Sequence, residues 1–88
     1  MIKVFFTERF LKSTSSLPKH IQEKLVVLLS LLEENPFHTK LHTKPLAGKL
    51  SGFYSFRITR DWRVIFQFIA TDSLQLMDVG NRKDIYRR

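Results

Sequence analysis

The apolar positions of this chain follow two different periods, helical in the first half and alternating in the second. Leu17, Ile21, Leu25, Leu28 and Leu32 recur at spacings of 4, 4, 3 and 4, the stripe of one helical face. Pro18 suits the first turn of that helix, where its missing N–H is no loss, and Asn35-Pro36 stops it. Val26, Leu29 and Leu31 widen the stripe, so the helix is expected to be buried over a broad face, with Gln22, Glu23, Lys24, Glu33 and Glu34 on the wet side. Before it, Ile2–Phe6 reads as a short strand. Thr7 is placed to cap a short helix in which Phe10 and Leu11 share one face. Ser13-Thr-Ser-Ser16 is a polar loop.

From Ser51 to Ala70 the pattern becomes aromatic and β-branched, with a polar break at Thr59-Arg60-Asp61. That predicts two antiparallel strands joined by a tight turn. Ser73–Val79 is a last strand after the turn at Ala70–Ser73, broken by Gly80-Asn81. Arg82–Arg88 is a basic tail too short for a stable helix of its own. Residues 37–50 show no clean period and predict an irregular connection. The order strand, helix, helix, strand, strand, strand predicts an α+β fold, a two-layer βααβββ domain over residues 1–88. Its sheet is mostly antiparallel, with two helices packed on one face and the other face left to solvent or a ligand. Alternation sets Phe53, Ser55 and Arg57 opposite Tyr54, Phe56 and Ile58, and Arg63 with Ile65 opposite Val64 and Phe66. Arg57 and Arg63 would be cross-strand neighbours in one register, and the sequence leaves that register open.

Length and composition narrow the picture. A chain of 88 residues buries only about 60–65% of its unfolded surface, enough for one core. With no cysteine there is no disulfide framework and no thiolate metal site. The N-terminus has no secretory leader pattern, and no apolar run approaches the roughly 20 residues that span a bilayer. A soluble, cytoplasmic protein with no membrane association is expected. Fifteen Lys and Arg against eight Asp and Glu give a net charge of +7. Residues 38–63 hold six of the bases (Lys40, Lys44, Lys49, Arg57, Arg60, Arg63) and one acid, Asp61, a local net of +5. Such clustering is the footprint expected for a nucleic-acid backbone, and it equally suits solubility or an acidic protein partner.

Familiar catalytic constellations are missing: no paired carboxylates, glycine-rich phosphate loop or nucleophile elbow. His38 and His42 have a metal-like spacing only on a helix, and they fall in the irregular segment without a third ligand, so no metal and no cofactor is expected. His20 reads as exposed. What remains is Arg57, Arg60, Arg63, Arg82 and Tyr86, led into by Lys44 and Lys49. Guanidinium forks match phosphate oxygens in a bidentate way, and a tyrosine ring can stack on a base. Two interpretations stand together here. In one, the arginines hold a phosphodiester between the strands and the tail. In the other, Arg63 pairs with Asp78 or Asp84 across the sheet and the rest solubilise the surface.

The stretch Leu46-Ala-Gly-Lys-Leu-Ser-Gly-Phe-Tyr-Ser-Phe-Arg-Ile, followed by Asp61-Trp-Arg-Val-Ile-Phe and by Val79-Gly-Asn-Arg-Lys-Asp-Ile-Tyr86, resembles the RelE/ParE superfamily of bacterial toxins. The long helix closed by Asn35-Pro36 resembles it too, so the likeness runs over nearly the whole chain. It implies the toxin of a type II toxin–antitoxin pair, with a cognate antitoxin as partner and a toxin–antitoxin hetero-oligomer. RelE-like members cleave messenger RNA in the ribosomal A site without metal, so ribosome and mRNA become the implied partners. Carried over by position, Arg63, Arg82 and Tyr86 match the family's arginine at the start of the central strand and its arginine and tyrosine after the last strand. Arg57 falls near a basic position of the preceding strand. The implied chemistry is attack of the RNA 2′-hydroxyl on the adjacent phosphorus, leaving a 2′,3′-cyclic phosphate and a free 5′-hydroxyl. Arg57 and Arg63 would stabilise the phosphorane, Arg82 the departing oxygen, and Tyr86 would orient the nucleotide or accept a proton. Lys44, Lys49 and Arg60 would bind substrate.

The tail departs from the pattern of several ribosome-dependent relatives, which carry a histidine near the C-terminus as general acid. A site of arginines and one tyrosine would depend on the ribosome to position its substrate. Two alternatives belong to other classes: a ParE-like inhibitor of DNA gyrase, which is not an enzyme, and an inactive basic homologue that binds RNA or protein.

Overall fold

The helical stripe and the alternating half build the two layers they predict. In a computed structural model, which describes residues 1–86, the order is β1 (Lys3–Phe6), α1 (Glu8–Ser15), α2 (Lys19–Glu34), β2 (Lys44–Pro45), β3 (Tyr54–Arg57), β4 (Trp62–Ala70), β5 (Ser73–Asn81) and α3 (Arg82–Ile85). Arg87 and Arg88, the end of the basic tail, lie outside the described residues. The strands form one sheet in the order β1-β5-β4-β3-β2, antiparallel throughout except that β1 runs parallel to β5.

Thr7 starts α1 as its residue type requires. The hydroxyl accepts from the Phe10 N–H at 3.2 Å and donates to the Leu76 carbonyl at 2.8 Å, so one side chain caps the helix and ties it to β5. Leu17, just before α2, and Ile21, Leu25, Leu28 and Leu32 within it are buried as a unit with Phe56, Val64, Phe66, Leu74, Leu76 and Val79 of the sheet. The broad burial does not follow. Val26 is 66% exposed and Leu11 is 53% exposed, while Leu29 and Leu31 pack at the rim. A helix lying on a sheet buries one arc, and Val26 lies outside it.

The second half differs from expectation in three places. The connection after α2 is folded: single 3-10 turns at Thr39–Leu41 and Gly48–Leu50 flank a two-residue strand, β2. Pro45 cannot donate to a ladder on both sides, so β2 pairs only with β3 and forms the sheet edge. Next, β5 does not break at Gly80-Asn81; Gly80 lies opposite Arg63 and Asn81 opposite Trp62. Finally, the tail forms a helical turn. The Asn81 side chain accepts from the Lys83 N–H at 3.0 Å, and Ile85 is buried to 1% exposure, so packing supplies what length could not.

That turn means the face opposite α1 and α2 is only partly open. Ile85 shares a cavity of about 160 Å³ with Leu50, Phe53, Ile65 and Met77. Asp78 borders the same cavity and is held by Arg9 at 3.3 Å and by the Ser13 hydroxyl at 2.8 Å.

Candidate functional site

The register left open by the sequence is the one that matters. Arg57 on β3 pairs directly with Arg63 on β4, next to Phe56 opposite Val64. The turn between them is closed by the Ile58 N–H donating to the Trp62 carbonyl at 2.9 Å. Two cations are thereby set side by side at the end of the sheet, an arrangement that costs stability in the absence of an anion.

Arg57 is exposed, whereas Arg63 is only 7% exposed. One terminal nitrogen of Arg63 donates to the Arg60 carbonyl at 3.2 Å, while its Nε is buried with no hydrogen-bond partner among the described residues. The bond to a neutral carbonyl does not neutralise the charge. Arg82, the first residue of α3, is brought to the same end by Asp61. The Arg82 N–H donates to the Asp61 carbonyl at 2.7 Å, and its Nε lies 3.5 Å from the Asp61 carboxylate.

These residues line a groove of about 700 Å³ at the hairpin-loop end of the sheet. Arg57, Arg60, Arg63 and Arg82 converge there as the sequence suggests. Three further residues join them that sequence reasoning set aside: Lys24 from α2, and Lys40 and His42 from the first 3-10 turn. Lys24 precedes Leu28 by one helical turn and so lies on the side of α2 nearest the sheet. Nothing in the pattern says which end of α2 meets the hairpin, so its neighbourhood was invisible. Every ionised side chain lining the groove is a cation, with no carboxylate among the lining residues. A concave surface of one charge sign concentrates its field on an incoming polyanion.

Tyr86, Lys44 and Lys49 are brought together elsewhere. They line a neighbouring pocket of about 410 Å³ with Leu46, Ala47 and Leu50, and the Tyr86 hydroxyl is buried without a hydrogen-bond partner among the described residues. The structure therefore divides the expected residues into an arginine groove and an adjoining tyrosine–lysine pocket. His38 and His42 stand at the two ends of one 3-10 turn, where His38 Nδ1 accepts from the Lys40 N–H at 3.1 Å. Among the described residues no group of three or more His, Cys, Asp and Glu side chains is placed to hold a metal.

Residues 2–79 match the HigB-like toxin family, described as the RelE-like toxin HigB of a type II toxin–antitoxin system. The chain belongs to this family. Solved structures agree on the fold. The chain is similar to YafQ from E. coli strain BL21(DE3), with a TM-score of 0.79 at 20% identity over 98% of this chain and 99% of that one. It is also similar to the toxin–antitoxin complex RelBE2 from Mycobacterium tuberculosis, with a TM-score of 0.77 at 23% identity over 92% and 98%. The archaeal RelE–RelB complex from Pyrococcus horikoshii OT3 gives 0.76 at 24% identity over 94% and 97%. A search of curated proteins finds no match. The HigB-like chain thus has a toxin-family fold with its basic groove at the hairpin-loop end.

Proposed function

We propose that this HigB-like toxin is a metal-independent endoribonuclease that cuts messenger RNA on the ribosome and so inhibits translation, and that a cognate antitoxin neutralises it. The observation that carries the proposal is the groove itself: six cations and no carboxylate converge on about 700 Å³. A fold gains nothing from such a concentration of like charge, whereas a phosphodiester gains several charge-assisted hydrogen bonds from it. In this reading Arg57 and Arg63 stabilise the charge that develops on phosphorus when the 2′-hydroxyl attacks, and Arg82 stabilises the departing oxygen. Arg60, Lys24 and Lys40 hold the flanking phosphates. Tyr86 stacks on a neighbouring nucleotide between Lys44 and Lys49.

The antitoxin is supported by the structural relatives solved as RelBE2 and RelE–RelB complexes. The toxin would act in the cytoplasm, where ribosomes and messages are, and no helix among the described residues is long and apolar enough to cross a membrane.

Purified toxin added to ribosomes programmed with a defined message tests this directly. Cuts at codon-phased positions, dependent on the ribosome and unaffected by chelator, are expected. An intact message together with loss of supercoiling by DNA gyrase would refute the nuclease and favour a ParE-like target.

A further inference from the structure

The arginine groove lacks a proton carrier among the residues so far assigned to it. A guanidinium stays protonated at any ordinary pH, and the lysine side chain releases its proton only well above neutrality. The Tyr86 hydroxyl is buried outside the groove. His42 is the one lining residue of a type that takes up and releases a proton near pH 7.

Its backbone is unusual as well. His42 has φ 50°, ψ 43°, and it is the sole non-glycine residue with positive φ among the described residues. Left-handed backbone is disfavoured for a residue with a side chain and is maintained by its surroundings. Here the preceding turn holds it, through the His42 N–H donating to the Thr39 carbonyl at 3.3 Å and the Leu41 side chain buried in the core. The charged residues lining the groove with it are Lys24 of α2, Arg57 of β3, Arg60 of the hairpin, Arg63 of β4 and Arg82 of α3, with Lys40 on its own turn.

We infer that His42 is the proton acceptor of the cleavage reaction, a catalytic residue of the groove that takes the proton of the attacking 2′-hydroxyl. The inference rests on the nuclease reading above. As the 2′-oxygen forms its bond to phosphorus, the proton passes to the His42 imidazole. The bond from phosphorus to the 5′-oxygen breaks, and its electron pair leaves with that oxygen beside Arg82. The 5′-oxygen takes a proton from water, and the imidazolium returns its proton to solvent. The products are a 2′,3′-cyclic phosphate and a 5′-hydroxyl, with no net consumption of water or protons.

The test is cleavage of message on programmed ribosomes by full-length toxin under single-turnover conditions, from about pH 5.5 to 8.5, a range that brackets imidazole titration. His42→Asn is the main variant because asparagine tolerates left-handed backbone. His42→Gly is the second, since glycine adopts that backbone freely and leaves room for added imidazole. The wild-type rate is expected to rise with pH to a plateau, as a reaction that needs an unprotonated base does. His42→Asn should lower it by about 100-fold or more, the usual contribution of a positioned base, with the inflection gone and substrate binding unchanged. Free imidazole should restore part of the His42→Gly rate. Cleavage by His42→Asn at the wild-type rate, or an inflection that persists in both variants, would overturn the assignment while leaving the nuclease intact. A wild-type toxin that leaves the message uncut removes the nuclease reading and this inference with it.

Discussion

Arg63 sets the sharpest test of the site, because its effects on stability and on activity should have opposite signs. Its guanidinium is nearly buried, one nitrogen bonds to a neutral carbonyl, and Nε has no partner among the described residues. A buried donor left unsatisfied costs about 1–3 kcal/mol, and a like charge directly across the sheet at Arg57 adds a few tenths to about 1 kcal/mol. Against this stands one long hydrogen bond to Arg60, worth about 1.5 kcal/mol at the low end for a charged donor. Arg63→Met keeps much of the stem and removes the charge. The balance predicts a variant between unchanged and about 2 kcal/mol more stable, in line with apolar replacement of buried ions elsewhere. For a chain of this length that corresponds to a rise of up to roughly 8–16 °C in melting midpoint. Message cleavage should fall by about 100-fold or more, the usual effect of deleting a group that stabilises transition-state charge. Thermal denaturation followed by circular dichroism and cleavage on programmed ribosomes are measured on the same preparation. A midpoint lowered by more than about 8 °C would mean that Arg63 holds the fold. Cleavage at the wild-type rate would remove it from the site.

Three further substitutions probe the scaffold around the groove. Leu32→Ala empties a fully buried position beneath the sheet and should cost about 2–5 kcal/mol in urea unfolding, so a loss below about 1 kcal/mol would contradict the core assignment. Thr7→Ala removes both the cap on α1 and the tie to Leu76, and a loss of about 1–2 kcal/mol is expected in the same assay. Asp61→Ala breaks an ion pair whose side chains are 43% and 60% exposed, so stability should change by less than about 1 kcal/mol. Cleavage should fall several-fold as Arg82 loses its anchor; an unchanged rate would show that the backbone bond from Arg82 to Asp61 positions it alone.

Much of the fold is legible in periodicity because each element has one face to bury. The stripe from Leu17 to Leu32, the Thr7 cap and the hairpin around Thr59-Arg60-Asp61 are local patterns, and each forms where expected. Val26 and Leu11 show the limit of that logic, since apolar character does not reveal how wide an arc the sheet will cover. The turn at Arg82–Ile85 shows another. Its stability comes from burying Ile85 beside Leu50, Phe53 and Ile65, residues distant in sequence.

By itself, then, the sequence determined the two layers, the hairpin with Arg57, Arg60 and Arg63, and the family resemblance, all carried by spacing and residue type. Tertiary structure alone decided which charges meet. The register of β3 on β4 placed Arg57 against Arg63, and the hairpin carbonyl of Asp61 drew in Arg82. The packing of α2 and of the turn after it brought Lys24, Lys40 and His42 to the same groove and left Tyr86 in the pocket beside it. The reason is physical. Periodicity reports which side of an element faces the core, whereas a site forms where the ends of several elements converge, and that is fixed only when the core has packed.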